Sequence, residues 1–198
     1  RNSETRPPLL YNDTGTKKFV IAYDPARSRD NSAIVVMEIY QTEDGEYKGR
    51  IVNCVNLLDI GKKIKSPMRT PDQIQYLKQL ILDYNGDAPD YENIEAIYID
   101  AGSGGAGVNI ADYLMEDWVD KKGVKHRGLI DKEYSADYVK KFPNAIDKIR
   151  LMSPAQYKSE MYEALRHGVA DGDIVPVLCG SAYHKLGISS LMNAIHAY

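Results

Sequence analysis

Two aspartates, Asp24 and Asp100, are the residues of this chain whose type and position best suit chemistry. Each closes a hydrophobic, strand-like segment, KFVIAYD over residues 18–24 and NIEAIYID over residues 93–100. Neighbouring carboxylates repel each other unless a cation lies between them, and all-oxygen sites favour Mg²⁺ or Mn²⁺. A pair of such ions activates water and stabilises the leaving oxygen in phosphodiester cleavage. The two aspartates therefore predict a two-metal site, in which Asp24 bridges the ions and Asp100 holds one of them.

The alternative is an ordinary structural role, because aspartate after a strand commonly forms a turn or caps a helix. The order of the elements decides between these readings. Hydrophobic periodicity predicts strands over residues 18–24, 32–40, 50–60, 93–100, 125–131 and 172–180, and helices over 70–86, 153–168 and 188–198. Residues 101–120 are predicted to be a glycine-rich turn that runs into a further helix. In the first helix Ile74, Leu77 and Ile81 share one face, Thr70 is a candidate cap and Pro71 suits the first turn.

Three meandering strands followed by helix, strand and helix is the element order of the ribonuclease H fold. The predicted fold class is therefore α/β, with a ribonuclease H-like mixed sheet flanked by helices. In that fold the first and fourth strands lie side by side at the centre of the sheet, which would make Asp24 and Asp100 neighbours. Residues 1–17 are polar and carry two prolines, so they are predicted to be an arm or linker before a domain over residues 18–198.

Composition defines the class of protein more than its function. With 198 residues, 43% hydrophobic and 27% charged, the chain can form one substantial soluble core. No apolar run approaches the roughly 20 residues that cross a bilayer. The net charge of −3 argues only weakly against nucleic-acid binding, because local clusters of Lys and Arg matter more than the total. Cys54 and Cys179 lie in hydrophobic segments without a CxxC pair, which predicts buried thiols.

The segment DAGSGGAG over residues 100–107 is rich in glycine. Such a turn before a helix can cradle phosphate, but this one matches neither GxxxxGK[ST] nor a well-spaced GxGxxG. It would also let the backbone approach a DNA phosphate or a metal-bound water. A tight strand-to-helix turn is the structural alternative.

Basic residues are concentrated in loops, where solvated surface charge is the default explanation. Arg27 and Arg29 follow Asp24 closely, where a scissile phosphate would approach, and Lys62 and Lys63 precede the first helix. These four residues are the candidate nucleic-acid contacts. The remaining loop cations are Lys65, Arg69, Lys121, Lys122, Lys125 and Arg127. The four histidines lack metal-ligand spacing, and His184 alone lies in a late loop that could approach the metals.

Several segments resemble the nuclease domain of a tailed-phage terminase large subunit, over about residues 18–165. They are YDPARSRDNSAIVV (23–36), IYIDAGSGGAGVNIADYLMEDW (97–118), HRGLID (126–131) and FPNAIDKIRLMSPAQYKSEMYEAL (142–165). The resemblance implies that Asp24 and Asp100 are the first two metal-binding acids. It also implies Mg²⁺ or Mn²⁺, a double-stranded DNA substrate, an ATPase domain upstream, and the portal and small terminase subunit as partners in the cytoplasm of an infected bacterium.

The end of the chain departs from that family, which supplies a third acid late in its nuclease domain. Residues 171–198 instead resemble the end of the GTPase domain of elongation factor G, including its CGSA segment. The chain has no P-loop and no NKxD motif, so GTPase activity is not expected. The segment is predicted to be an atypical C-terminal strand-loop-helix. Asp171 and Asp173 are the candidates for the third catalytic, metal-binding acid, and a turn before a strand is their structural alternative.

The leading hypothesis is a metal-dependent endonuclease that cuts concatemeric viral DNA during packaging. Cleavage is expected to be largely independent of base sequence, because nothing in the chain is built to read base edges. One alternative is a catalytically silent module that binds DNA or docks within the packaging machine. Another is a different ribonuclease H-type enzyme, such as a resolvase or transposase.

Overall fold

The computed structural model describes residues 7–26, 31–59, 66–102 and 106–153, together with 159, 160, 162–164 and 166–168. The chain divides into two compact units, Arg1–Pro154 and Ala155–Tyr198. The described residues of the second unit are helical, within the helix predicted over 153–168. The strand predicted over 172–180 and the helix over 188–198 lie outside the described residues. Among the described residues, no helix is long and apolar enough to cross a membrane.

The first unit is an α/β structure built on a mixed sheet. This sheet has six strands, which are β1 (Lys18–Asp24), β2 (Ser32–Gln41), β3 (Tyr47–Asp59), β4 (Ser66–Pro67), β5 (Ile94–Asp100) and β10 (Ile149–Met152). Two short ladders join β6 (Trp118–Val119) to β7 (Lys125–His126) and β8 (Leu129–Ile130) to β9 (Ile146–Asp147). The six strands lie in the order β10-β5-β1-β2-β3-β4. The first three form an antiparallel meander, and β5 runs parallel to both β1 and β10.

The helices are α1 (Thr70–Asn85), α2 (Ala106–Asp112) and α3 (Ala136–Lys141), with a 3₁₀ turn at Pro89–Tyr91. The predicted apolar face of α1 is confirmed, since Ile74, Leu77 and Ile81 are buried. Pro71 lies in its first turn as predicted. The cap was predicted wrongly, because α1 begins after Arg69 and no side chain caps it.

The alternating burial of side chains along β1 shows which side of the sheet α1 covers. Phe19, Ile21 and Tyr23 are all buried. The ring of Phe19 meets that of Tyr84 at 4.9 Å, and the Tyr23 hydroxyl donates to Gln73, so these side chains face α1. Because successive side chains of a strand point to opposite faces, Asp24 projects from the other face.

Three elements differ from the sequence prediction. The strand predicted over 125–131 is interrupted at Gly128, where a Cβ would lie 1.9 Å from the carbonyl oxygen of Met115. The helix predicted within 101–120 ends at Asp112. Strand β10 was not predicted, because only Ile149 of its four residues is fully buried and the pattern is too short to recognise.

Two further predictions concern the N-terminal arm and the cysteines. Residues 9–12, within the predicted arm, are hydrogen-bonded to the rest of the first unit: Leu9 N donates to the Val52 carbonyl, and Asn12 N to the Asp83 carbonyl, each at 3.0 Å. The prediction that Cys54 is buried is wrong, because its side chain is exposed on β3. A hydrophobic stretch in a sheet with one uncovered face buries only alternate residues. Cys179 lies outside the described residues.

Asp131 is a buried carboxylate that accepts a hydrogen bond from the edge of β10. It accepts hydrogen bonds from the backbone N–H of Leu151 at 2.8 Å, Glu133 at 3.0 Å and Tyr134 at 3.2 Å. Its exposed fraction is 6%. One of these donors, Leu151 N, lies on β10, and the other two lie in the turn that follows Asp131, so the carboxylate ties this turn to the strand.

We expect Asp131→Ala to lower the free energy of unfolding by about 3 kcal/mol, because buried N–H donors lose their acceptor. Urea unfolding followed by the fluorescence of Trp118, the one tryptophan in the sequence, measures this. Asp137→Ala is the matched control, since that side chain is 93% exposed. Equal unfolding midpoints for the two variants would contradict the role of Asp131.

Candidate metal centre

Asp24 and Asp100 are neighbours at the carboxyl ends of two parallel central strands. The register of β1 and β5 pairs Tyr23 with Ile99, and the next residue of each strand is an aspartate. Adjacent strands lie about 4.8 Å apart, and residues level with each other in a ladder point to the same face. The predicted adjacency of the first and fourth long strands is therefore confirmed, and it places the two aspartates side by side at the strand ends.

The face that carries both carboxylates is open to solvent. Asp24 is exposed, and Asp100 is partly buried. Two residues earlier on the same face, Ala22 is exposed and Tyr98 is 39% exposed. A substrate could therefore reach the two aspartates from the side of the sheet opposite α1.

The side chain of Asp100 is held in place by the turn that follows it. Its Oδ1 accepts a hydrogen bond from Gly102 N at 2.7 Å, and Ala101 N donates to the Met152 carbonyl at 2.7 Å. A carboxylate carries about four lone-pair sites on its two oxygens, so one backbone bond leaves capacity to bind a cation. The aspartate is oriented without its acceptor capacity being used up.

The glycine-rich segment has a structural task at Gly107, the second residue of α2. A Cβ at this position would lie 2.0 Å from the carbonyl oxygen of Asp100 and 2.7 Å from its carbonyl carbon. Only glycine permits this approach of α2 to the end of β5. Residues 103–105 lie outside the described residues, so a phosphate-binding or substrate-binding role for this segment stays a prediction.

The donor set fits a hard divalent cation. Two adjacent carboxylates supply the oxygen ligands that Mg²⁺ and Mn²⁺ prefer. No group of three or more His, Cys, Asp or Glu side chains suited to a metal occurs in the described part of the chain. Asp171 and Asp173, the candidate third ligands, lie outside that part, as do Arg27, Arg29, Lys62 and Lys63.

Two ionisable groups of other elements, Asp131 and His126, are engaged in hydrogen bonds of their own. Asp131 uses both carboxylate oxygens on backbone N–H groups. His126 lies 3.1 Å from Asp120, whose pKa is lowered by that hydrogen bond. His184, the histidine predicted to approach the metals, lies outside the described residues. Beneath Asp24, burial raises the pKa of Tyr23 to about 12, so this residue is a neutral hydrogen-bonding group.

A cleft of about 960 Å³ lies at the opposite end of α1, away from the two aspartates. The later loop cations line it together with acids. Lys125 pairs with Asp117, and Arg127 pairs with Asp90, each at 3.0 Å. Because acids accompany the basic residues, this cleft does not form the one-signed surface that a phosphate backbone requires.

Comparison with known proteins gives a limited result. No family model and no solved structure matches the chain. The chain is similar to elongation factor G 2 of Bdellovibrio bacteriovorus, with 31% identity over 101 residues, which is 51% of this chain and 13% of that protein. This agrees with the predicted resemblance of residues 171–198 to elongation factor G. The aligned region is longer than that 28-residue segment and so includes residues before 171.

Proposed function

We propose that this chain contains a metal-dependent endonuclease domain that hydrolyses phosphodiester bonds of double-stranded DNA. Asp24 and Asp100 carry the proposal, because they end adjacent parallel strands on one open face. An aspartate in an ordinary surface turn needs no second acid beside it. Two acids side by side suit a site that binds a divalent cation and presents it to a phosphate group.

The finer fold assignment, a ribonuclease H-like domain, is part of this proposal. It is supported by the antiparallel meander of β1, β2 and β3, with β1 beside β5 at the centre of the sheet. Helix α1 connects the meander to β5 and covers one face. Fold alone does not establish activity, so the function depends on the two aspartates.

The residues would divide the work as follows. Asp24 and Asp100 hold the cations, and Gly102 N orients Asp100. Mg²⁺ or Mn²⁺ bound there would activate a water molecule for attack on phosphorus and stabilise the leaving 3′ oxygen. Arg27 and Arg29, three and five residues after Asp24, would neutralise the phosphate and position it. Asp173, or Asp171, would supply the third carboxylate.

The biological setting follows from the resemblance of residues 18–165 to terminase nuclease domains. In that setting the substrate is concatemeric viral DNA, and an upstream ATPase domain, the portal and the small terminase subunit are partners. The similarity to elongation factor G supports no second activity. The sequence lacks both the P-loop that cradles phosphates and the NKxD motif, so GTP hydrolysis is not proposed.

Cleavage of supercoiled plasmid DNA tests the proposal. We expect conversion to nicked and linear forms with Mn²⁺ or Mg²⁺ and none after chelation by EDTA. Salt-sensitive DNA binding without metal-dependent cutting would identify the silent module instead. Preference for a four-way junction over linear duplex would identify a resolvase-like enzyme.

A further inference from the structure

Three buried polar side chains form a layer directly beneath Asp24, on the α1 side of the sheet. Tyr23 is 2% exposed, Ser32 0% and Gln73 3%. They come from β1, the start of β2 and the first turns of α1. Buried polar groups cost free energy unless they are hydrogen-bonded, so their bonding must be accounted for.

Their hydrogen bonds form a network of two parts, one on each side of Asp24. Ala26 N donates to Ser32 Oγ at 2.9 Å, and the Ser32 hydroxyl donates to the Ala26 carbonyl at 3.3 Å. The Tyr23 hydroxyl donates to Gln73 Oε1, and Gln73 Nε2 donates to the Met68 carbonyl at 2.6 Å.

The two parts of this network hold the residues on both sides of Asp24. Tyr23 precedes Asp24 directly, and Ala26 follows it by two residues. Helix α1 anchors the Tyr23 part of the network through Gln73, whose side-chain amide donates to the carbonyl of Met68, just before the helix. Because each part fixes the chain on one side of Asp24, the loss of either part should loosen the position of Asp24.

We propose that Ser32, Tyr23 and Gln73 are positioning residues that set the orientation of Asp24 for cation binding. This inference rests on the proposed function of Asp24 as a metal ligand. None of the three touches the cation or the substrate. They act through the backbone of residues 23–26, as partners of metal ligands commonly do.

The experiment compares Tyr23→Phe and Ser32→Ala with Tyr84→Phe, using the full chain. Tyr84 is a matched control, because it is also fully buried on α1 and its hydroxyl donates to the Leu9 carbonyl and accepts from Asn53 Nδ2. It lies at the other end of α1. Mn²⁺ affinity is measured by calorimetry, and hydrogen exchange of the Ala26 amide is measured by NMR.

We expect Tyr23→Phe and Ser32→Ala to weaken Mn²⁺ binding by about 10- to 100-fold and to speed exchange at Ala26. Tyr84→Phe should change neither, even where its loss of stability is similar. Mn²⁺ affinities of all three variants equal to the wild type would overturn the positioning role. If Ser32→Ala fails to fold, Tyr23→Phe decides alone, since it removes one oxygen atom and keeps the ring.

Asp24→Asn separates this inference from the proposed function. If Asp24→Asn abolishes Mn²⁺ binding while Tyr23→Phe and Ser32→Ala bind normally, the metal site stands and the network has no part in it. If the wild-type chain does not bind Mn²⁺, or Asp24→Asn binds it equally well, the proposed function fails and the positioning role fails with it.

Discussion

Asp100→Asn is expected to lower Mn²⁺-dependent DNA cleavage by at least about 100-fold, because even residues that only support metal ligands are worth about 10- to 100-fold. The substitution keeps the size of the side chain and its acceptor for Gly102 N, the bond that orients it. It removes the negative charge that attracts the cation. The same loss is expected for Asp24→Asn, and steady-state nicking of supercoiled plasmid at several Mn²⁺ concentrations measures both.

The matched control is Asp44→Asn, which makes the same chemical change in the turn between β2 and β3. That turn lies at the end of the sheet away from Asp24, because β2 runs antiparallel to β1. Cleavage should be unchanged in this variant. Activity that survives Asp100→Asn would remove the basis for the metal site and for the endonuclease.

Gly107→Ala is expected to damage the same site without touching a carboxylate. The new methyl group would lie 2.0 Å from the Asp100 carbonyl oxygen, and backbone cannot yield as a side-chain tip can. Either α2 or the end of β5 must shift. We expect the free energy of unfolding to fall by at least about 3 kcal/mol. Mn²⁺ affinity should fall by about tenfold or more, because Asp100 moves with its backbone.

Gly49→Ala is the control for this substitution. Its methyl group would meet the sulfur of Met37 at 2.6 Å, and that flexible side chain can move aside. Urea unfolding and Mn²⁺ calorimetry should therefore change little in this variant. If Gly107→Ala keeps wild-type stability and Mn²⁺ affinity, the close packing of α2 on Asp100 has no bearing on the site.

Much of the first unit could be predicted from local patterns. The alternating residues of β1 and β2 and the apolar face of α1 identify those elements without tertiary information. Strand β10 escaped prediction because a four-residue parallel strand has no periodicity of its own. Its place is decided by pairing with β5 and by the carboxylate of Asp131, which lies 20 residues earlier in the chain.

At Cys54 and at residues 125–131 the sequence predicted burial or a strand that the structure does not have. In both places the local sequence is apolar enough for a buried strand. The structure leaves Cys54 on an uncovered face and breaks the later segment at Gly128, where the Met115 backbone passes too close for a side chain. Hydrophobicity indicates which segments form strands, whereas neighbouring elements determine which residues they cover.

For the candidate site, the sequence by itself determined the chemistry that is available: two acids that each end a strand, with basic residues close after the first. The order of elements also predicted that β5 lies beside β1, which the structure confirms. Only the tertiary structure decided that both carboxylates leave the sheet on its open face, and that Gly107 and the network of Tyr23, Ser32 and Gln73 lie next to them. The physical reason is the distance along the chain over which each effect acts. Side-chain type and periodicity act over a few residues, whereas strand pairing and packing join positions 50 to 76 residues apart, as Tyr23–Gln73 and Tyr23–Ile99 do.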